Sequence, residues 1–142
     1  MKLNQFIILV FITTILSCTN RERILPYLGE IKLENDQEVY HNVGQVSHYN
    51  QDSLLITNEI LSNYIYVADF FFTSCPSICP KVTKEMTKIY DAIKNEPNIK
   101  LVSFTIDPKR DNVSKLKLYS ENLGVDHNKW YFLTGDKDAT LE

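Results

Sequence analysis

The segment from Ala68 to Pro80, Ala-Asp-Phe-Phe-Phe-Thr-Ser-Cys-Pro-Ser-Ile-Cys-Pro, constrains this chain more than any other. An apolar run of strand character feeds directly into Cys75 and Cys79, with three residues between them, and a stretch of helical periodicity follows. A helix that begins before Cys79 would set both sulfurs on one face, about one turn apart. From there they can close a disulfide or hold one soft metal ion, and thiolates select Cu(I) and Zn among cellular metals. Two other readings stay open at this level: burial of the thiols as small hydrophobes, or a structural disulfide in an exported protein. The strand-to-helix turn favours function, because open α/β sheets place ligands at the carboxyl ends of their strands.

The N-terminus sets the compartment. Lys2 precedes an apolar run from Phe6 to Ile12, followed by Thr13, Thr14, Ile15, Leu16, Ser17 and Cys18. This is the layout of a secretory signal peptide, too short and wrongly flanked for a membrane-spanning helix. Ser17 before Cys18 matches the cleavage region of a bacterial lipobox, with Leu16 bulkier than is usual there. On that reading residues 1–17 are a lipoprotein signal peptide, Cys18 is the lipidated first residue of the mature chain, and residues 18–30 tether a domain over 31–142. An uncleaved anchor and ordinary signal cleavage are the alternatives. The expected location is the bacterial cell envelope, on a membrane, facing the periplasm or the exterior. Lipidation also accounts for the odd cysteine number: of three cysteines, Cys18 carries the lipid and Cys75 and Cys79 remain as a pair. An oxidising compartment lets that pair cycle between dithiol and disulfide, so binding a metal through thiolates requires a thiol reductant.

With 15 Lys+Arg against 18 Asp+Glu, the chain has no electrostatic footprint for nucleic acid. Its 142 residues suit one domain after the leader. Ile31–Leu33 and Val39–His41 read as a hairpin around residues 34–38, and Gln45–Tyr49 with Leu54–Thr57 as a second strand pair. Thr57 or Asn58 caps a short helix to Ser62. Tyr64–Thr73 is apolar on both faces, as expected of a central buried strand. Helical spacing of Val82, Met86, Ile89, Tyr90 and Ile93 predicts a helix over Lys81–Lys94, with Met86 in the core. A strand over Ile99–Ile106 follows, then a helix capped by Asp111 or Asn112 and stopped by Gly124, then a strand over Trp130–Thr134. Strands alternating with helices imply right-handed crossovers and a mainly parallel sheet. A βαβαβ core with N-terminal hairpins and a cysteine pair after its first strand is an α/β, thioredoxin-like fold. Its C-terminal hairpin and closing helix are missing, so the chain reads as a fragment with an open sheet edge.

Three ordered motifs carry a resemblance. Val67 to Pro80 resembles the signature of the Sco (SenC) family of copper chaperones, Ser103 to Asp111 its second motif, and Trp130 to Gly135 its third. The resemblance implies a membrane-tethered, thioredoxin-fold, copper-binding protein that delivers copper, as Cu(I) or Cu(II), to the copper subunit of cytochrome c oxidase or another acceptor protein. It implies Cys75 and Cys79 as metal ligands that also close a Cys75–Cys79 disulfide when oxidised. The family's third ligand, a histidine, lies well downstream of the third motif, and this sequence has no residue there. His41 and His48, in surface hairpins, and His127, in a polar turn, read as exposed histidines that do not replace it. Around Val43–Val46 the chain departs from the family's Pro-Asp-Phe-like stretch.

Asp107 reads as a turn residue before Pro108, with a role beside the cysteines as the alternative. Arg110 and Asp111 read as local cap and loop residues. The competing class is an enzyme: a thiol–disulfide oxidoreductase acting on the cysteines of copper-site proteins, with Cys75 and Cys79 as its redox-active pair. Such reductases ordinarily carry two residues between their cysteines, and the three found here favour metal binding. A non-functional gene fragment is the third reading.

Overall fold

The computed structural model describes residues 26, 31–40 and 44–136. They fall into two units, one ending at Asn42 and the other beginning at Val43. In the first, β1 (Ile31–Glu34) pairs antiparallel with β2 (Gln37–Tyr40). The expected five-residue connection is a two-residue turn. Asn35 and Asp36 both take positive φ, 54° and 60°, the backbone of a turn whose twist matches its strands.

The second unit is built on a parallel sheet of three strands, β5 (Ile65–Phe71), β6 (Ile99–Thr105) and β7 (Trp130–Leu133), in that order. α2 (Cys79–Ile93) connects β5 to β6, and α3 (Val113–Leu123) connects β6 to β7. Both helices pack the same face, where Met86 and Leu116 meet Phe71, Leu101, Trp130 and Phe132. The opposite face is covered by an antiparallel pair, β3 (Ser47–Tyr49) and β4 (Leu55–Thr57), and a short helix, α1 (Asn58–Leu61). There Val46, Ile56 and Leu61 pack on Val102, Phe104 and Leu133. A backbone bridge between Tyr49 and Thr134 ties that cover to the end of β7. β6 alternates between the two cores, Leu101 facing one and Val102 and Phe104 the other, as the two-residue period of a strand requires.

Local signals explain the element ends. Asn112 caps α3 by accepting from the Lys115 amide at 3.0 Å, and Gly124 closes it in the left-handed conformation at φ 65°. Met86 is buried in the helix-side core, as expected. The strand expected at the centre is different. β6 is central and buried along Lys100–Thr105, whereas β5 lies at the edge of the sheet among the described residues. Ile65, Val67 and Phe70 are 70%, 36% and 56% exposed. An apolar run measures how well a strand tolerates burial, and the neighbours on both sides decide whether it is buried.

Candidate metal centre

β5 delivers the chain to the carboxyl edge of the sheet, where the last ladder bond runs from Ile106 N–H to the Phe71 carbonyl at 2.9 Å. The chain then turns, with the Cys75 amide donating to the Phe72 carbonyl at 3.2 Å, and leaves Pro76, Ser77 and Ile78 exposed. α2 begins at Cys79 and not before it, with Pro80 in its first turn, where a missing N–H is harmless. The cysteines therefore do not share a helix face. A loop brings them together instead, with the Cys79 amide donating to Cys75 Sγ at 3.4 Å. Both thiols are free.

The two sulfurs differ electrically. The Cys79 thiol donates to Cys75, and the amides of Ser77, Cys79 and Ile78 also point at it, pulling Cys75 from an ordinary 9.0 to about 6. Burial, and then that same donation to Cys75, push Cys79 up. The two sulfurs are thus biased in opposite directions, Cys75 toward the thiolate and Cys79 toward the thiol. The Cys79 thiol contributes most to lowering Cys75, and amides at the start of the helix, which favour an anion, add to it. Cys75 and Cys79 are only 8% and 6% exposed. Both nevertheless line a cavity of about 380 Å³ with Thr73, Pro80, Thr83 and Tyr119, which supplies the route an ion needs.

Behind the loop, Asp111 is buried and its carboxylate accepts from the Thr73 amide at 2.9 Å, the Thr73 hydroxyl at 2.5 Å and the Thr105 hydroxyl at 2.6 Å. Asp111 had read as a local cap or loop residue, but the cap is Asn112 and the Asp111 contact reaches across 38 residues to the cysteine loop. The available signal was register: Thr105 pairs with Phe71, so a carboxylate shortly after Thr105 faces the residues shortly after Phe71. Asp107 holds its own turn, accepting from the Arg110 and Asp111 amides through its carbonyl and from Arg110 Nε through its carboxylate. Deeper in the sheet, the Trp130 indole donates to Ser103, whose hydroxyl donates to Asp69. Burial raises the Asp69 pKa, and the Ser103 bond partly offsets it.

Two histidines are not where the sequence pointed. His48 is buried, edge-on to the Phe104 ring at 5.5 Å, and fills the space that Gly135 leaves open. Its pKa is lowered, with burial as the main cause and Asp136 opposing it. His127 is half-buried and bridges two elements, Nε2 lying 2.9 Å from Ser120 Oγ and Nδ1 2.9 Å from Asp52 Oδ2. Strand alternation and a distant acidic turn, not local polarity, decided both placements. Cys18 and His41 lie outside the described residues. Among the described residues no group of three His, Cys, Asp or Glu side chains could hold a metal ion, and no helix is long and apolar enough to cross a membrane.

The SCO1/SenC family pattern matches residues 34–142. A SCO1 protein homolog of Bacillus subtilis is 33% identical over 103 residues, covering 72% of this chain and 53% of the relative. A solved structure of BsSco, described as a member of the Sco family of cytochrome c oxidase assembly proteins with a disulfide switch, aligns with a TM-score of 0.62 at 34% identity, covering 70% of this chain and 59% of that one. A SCO1/SenC family lipoprotein from Bacillus anthracis gives 0.63 at 31% identity, covering 68% and 59%. Arabidopsis thaliana ScoI with copper bound gives 0.59 at 27%, covering 70% and 62%. The chain spans about half the length of the curated relatives it matches. With the parallel thioredoxin-like sheet, the helices on one face and the cysteine pair at its edge, these matches show that the chain belongs to the SCO1/SenC family.

Proposed function

We propose that this chain is the copper-binding part of a membrane-tethered, extracytoplasmic protein that delivers copper to the copper subunit of cytochrome c oxidase or another acceptor. One observation carries the reading: the Cys79 amide meets Cys75 Sγ at 3.4 Å and both sulfurs line one cavity, an arrangement that favours the Cys75 thiolate. Cu(I) is the cargo. Cys75 captures it first, Cys79 then ligates and releases its proton, and transfer proceeds by exchange of these thiolates for ligands of the acceptor. Two thiolates suffice for Cu(I), and Cu(II) binding calls for a further donor such as an imidazole. Lipidation at Cys18 would tether the chain, a reading supported by the lipoprotein relative from Bacillus anthracis. The copper-bound state of Arabidopsis ScoI supports the cargo. A two-electron oxidant would close the site as a Cys75–Cys79 disulfide, and a thiol reductant would reopen it by donating two electrons and ending as a disulfide itself.

The same opposed bias of the two thiols favours a second reading, a thiol–disulfide oxidoreductase in which Cys75 attacks and Cys79 resolves. Titrating the reduced chain with Cu(I) against a competing chelator separates the two. The expected result is one Cu(I) per chain, lost in Cys75→Ser and Cys79→Ser. A dithiol that reduces protein disulfides but ignores Cu(I) would reverse the order.

A further inference from the structure

We infer that Asp111 is a positioning residue for the thiol pair, holding the cysteine loop through Thr73. The inference rests on the metal-binding reading for its cargo and on geometry for its mechanism. Beyond the last ladder bond at Phe71, the Thr73 amide has no rung to join, and it donates to Asp111 at 2.9 Å. The Thr73 hydroxyl adds a second bond to the same carboxylate, at 2.5 Å. Asp111 is itself fixed at the other edge by the Thr105 hydroxyl, at 2.6 Å, and is 1% exposed. All three donors are neutral groups of the chain, two from Thr73 and one from Thr105.

Thr73 stands two residues before Cys75 and lines the cavity. Its two bonds fix where the loop leaves β5, and that departure sets whether Cys75 Sγ meets the Cys79 amide. Thr105 touches the same carboxylate from β6, away from the loop. Each threonine hydroxyl therefore supports the fold, but only Thr73 belongs to the loop that carries Cys75. Partners of this kind, one step removed from a ligand, typically change metal affinity by about 10- to 100-fold when lost.

The test compares Thr73→Val with Thr105→Val in the full chain, each removing one hydroxyl bond to Asp111 at nearly constant volume, with Thr105→Val also removing the acceptor of the Asp107 amide. Urea midpoints of the reduced proteins are expected to fall in both, at least as far in Thr105→Val, whose hydroxyl makes two bonds. Cu(I) affinity by chelator competition should fall about tenfold or more in Thr73→Val and Asp111→Asn, fall clearly less in Thr105→Val, and return in Thr73→Ser. The reduction equilibrium of the Cys75–Cys79 pair in a glutathione buffer, which needs no copper, should shift most in the same two variants. Equal effects of Thr73→Val and Thr105→Val, or none from Thr73→Val, overturn the inference, and the threonine pair decides it even if Asp111→Asn fails to fold. Wild-type protein that binds no Cu(I) would sink the metal reading, while the glutathione equilibrium would still decide the role of Asp111.

Discussion

The division of charge between the two sulfurs has a measurable consequence. With Cys75 lowered to about 6, roughly ten thiolates stand against one thiol at pH 7, whereas a thiol at the ordinary 9.0 is about 1% ionised. That is about a ninetyfold gain in thiolate. Intrinsic nucleophilicity falls with pKa, by about twentyfold over this range, so the net advantage at pH 7 is only about fourfold. At pH 5 the ionised fractions are about 10% and 0.01%, and the net advantage grows to about fortyfold. The pH profile is therefore a sharper test than a single rate. In a Cys18→Ser background, iodoacetamide labelling of Cys75 followed by mass spectrometry should show a midpoint near 6. Cys79→Ala should raise it, because the largest single cause is the Cys79 thiol, while the amides of Ser77, Cys79 and Ile78 keep it below 9.0. A midpoint above 8 with both cysteines present, or no movement on removing the Cys79 thiol, would refute the reasoning.

The same difference couples to stability. Cys75 is lower in the folded than in the unfolded state, so its contribution is complete above pH 9 and is lost as pH falls through about 6. Cys79 is raised, and withdraws stability only above 9. Urea midpoints of the reduced protein should therefore climb between about 6 and 9.

A Cβ on Gly135 would lie 2.5 Å from His48 Cδ2, so Gly135→Ala should destabilise by about 1–3 kcal/mol in urea unfolding. In a His48→Ala background most of that penalty should vanish, and additivity of the two changes would count against the close approach. If Cys18 carries a lipid, Cys18→Ser should move the protein from the membrane fraction to the soluble one on cell fractionation, and an unchanged distribution would remove the tether reading.

Much of the site was legible because its signals are local. Cys75 and Cys79 stand out by spacing, although a loop and not a shared helix face brings them together, while Asn112 and Gly124, by cap chemistry, and Met86, by helical period, sit as their neighbours in sequence required. The same reasoning went astray where partners come from afar. Tyr64–Thr73 reads as a central strand by composition, yet centrality belongs to β6, which has a neighbour on each side. His48 and His127 read as exposed because the residues around them are polar. Their surroundings are Phe104 and Gly135 for one, Ser120 and Asp52 for the other.

The amino-acid order alone determined the βαβαβ plan, the cysteine pair at the edge of a parallel sheet, and hence the kind of chemistry available, since periodicity and turn chemistry act over a few residues. Only the tertiary structure decided which sulfur carries the charge and what holds its loop. Two cysteines are identical on paper, and they become an acid and a base when amides converge on one and burial falls on the other. Asp111 likewise becomes an anchor only when parallel pairing sets Thr105 beside Phe71, bringing together residues that the chain keeps 38 positions apart.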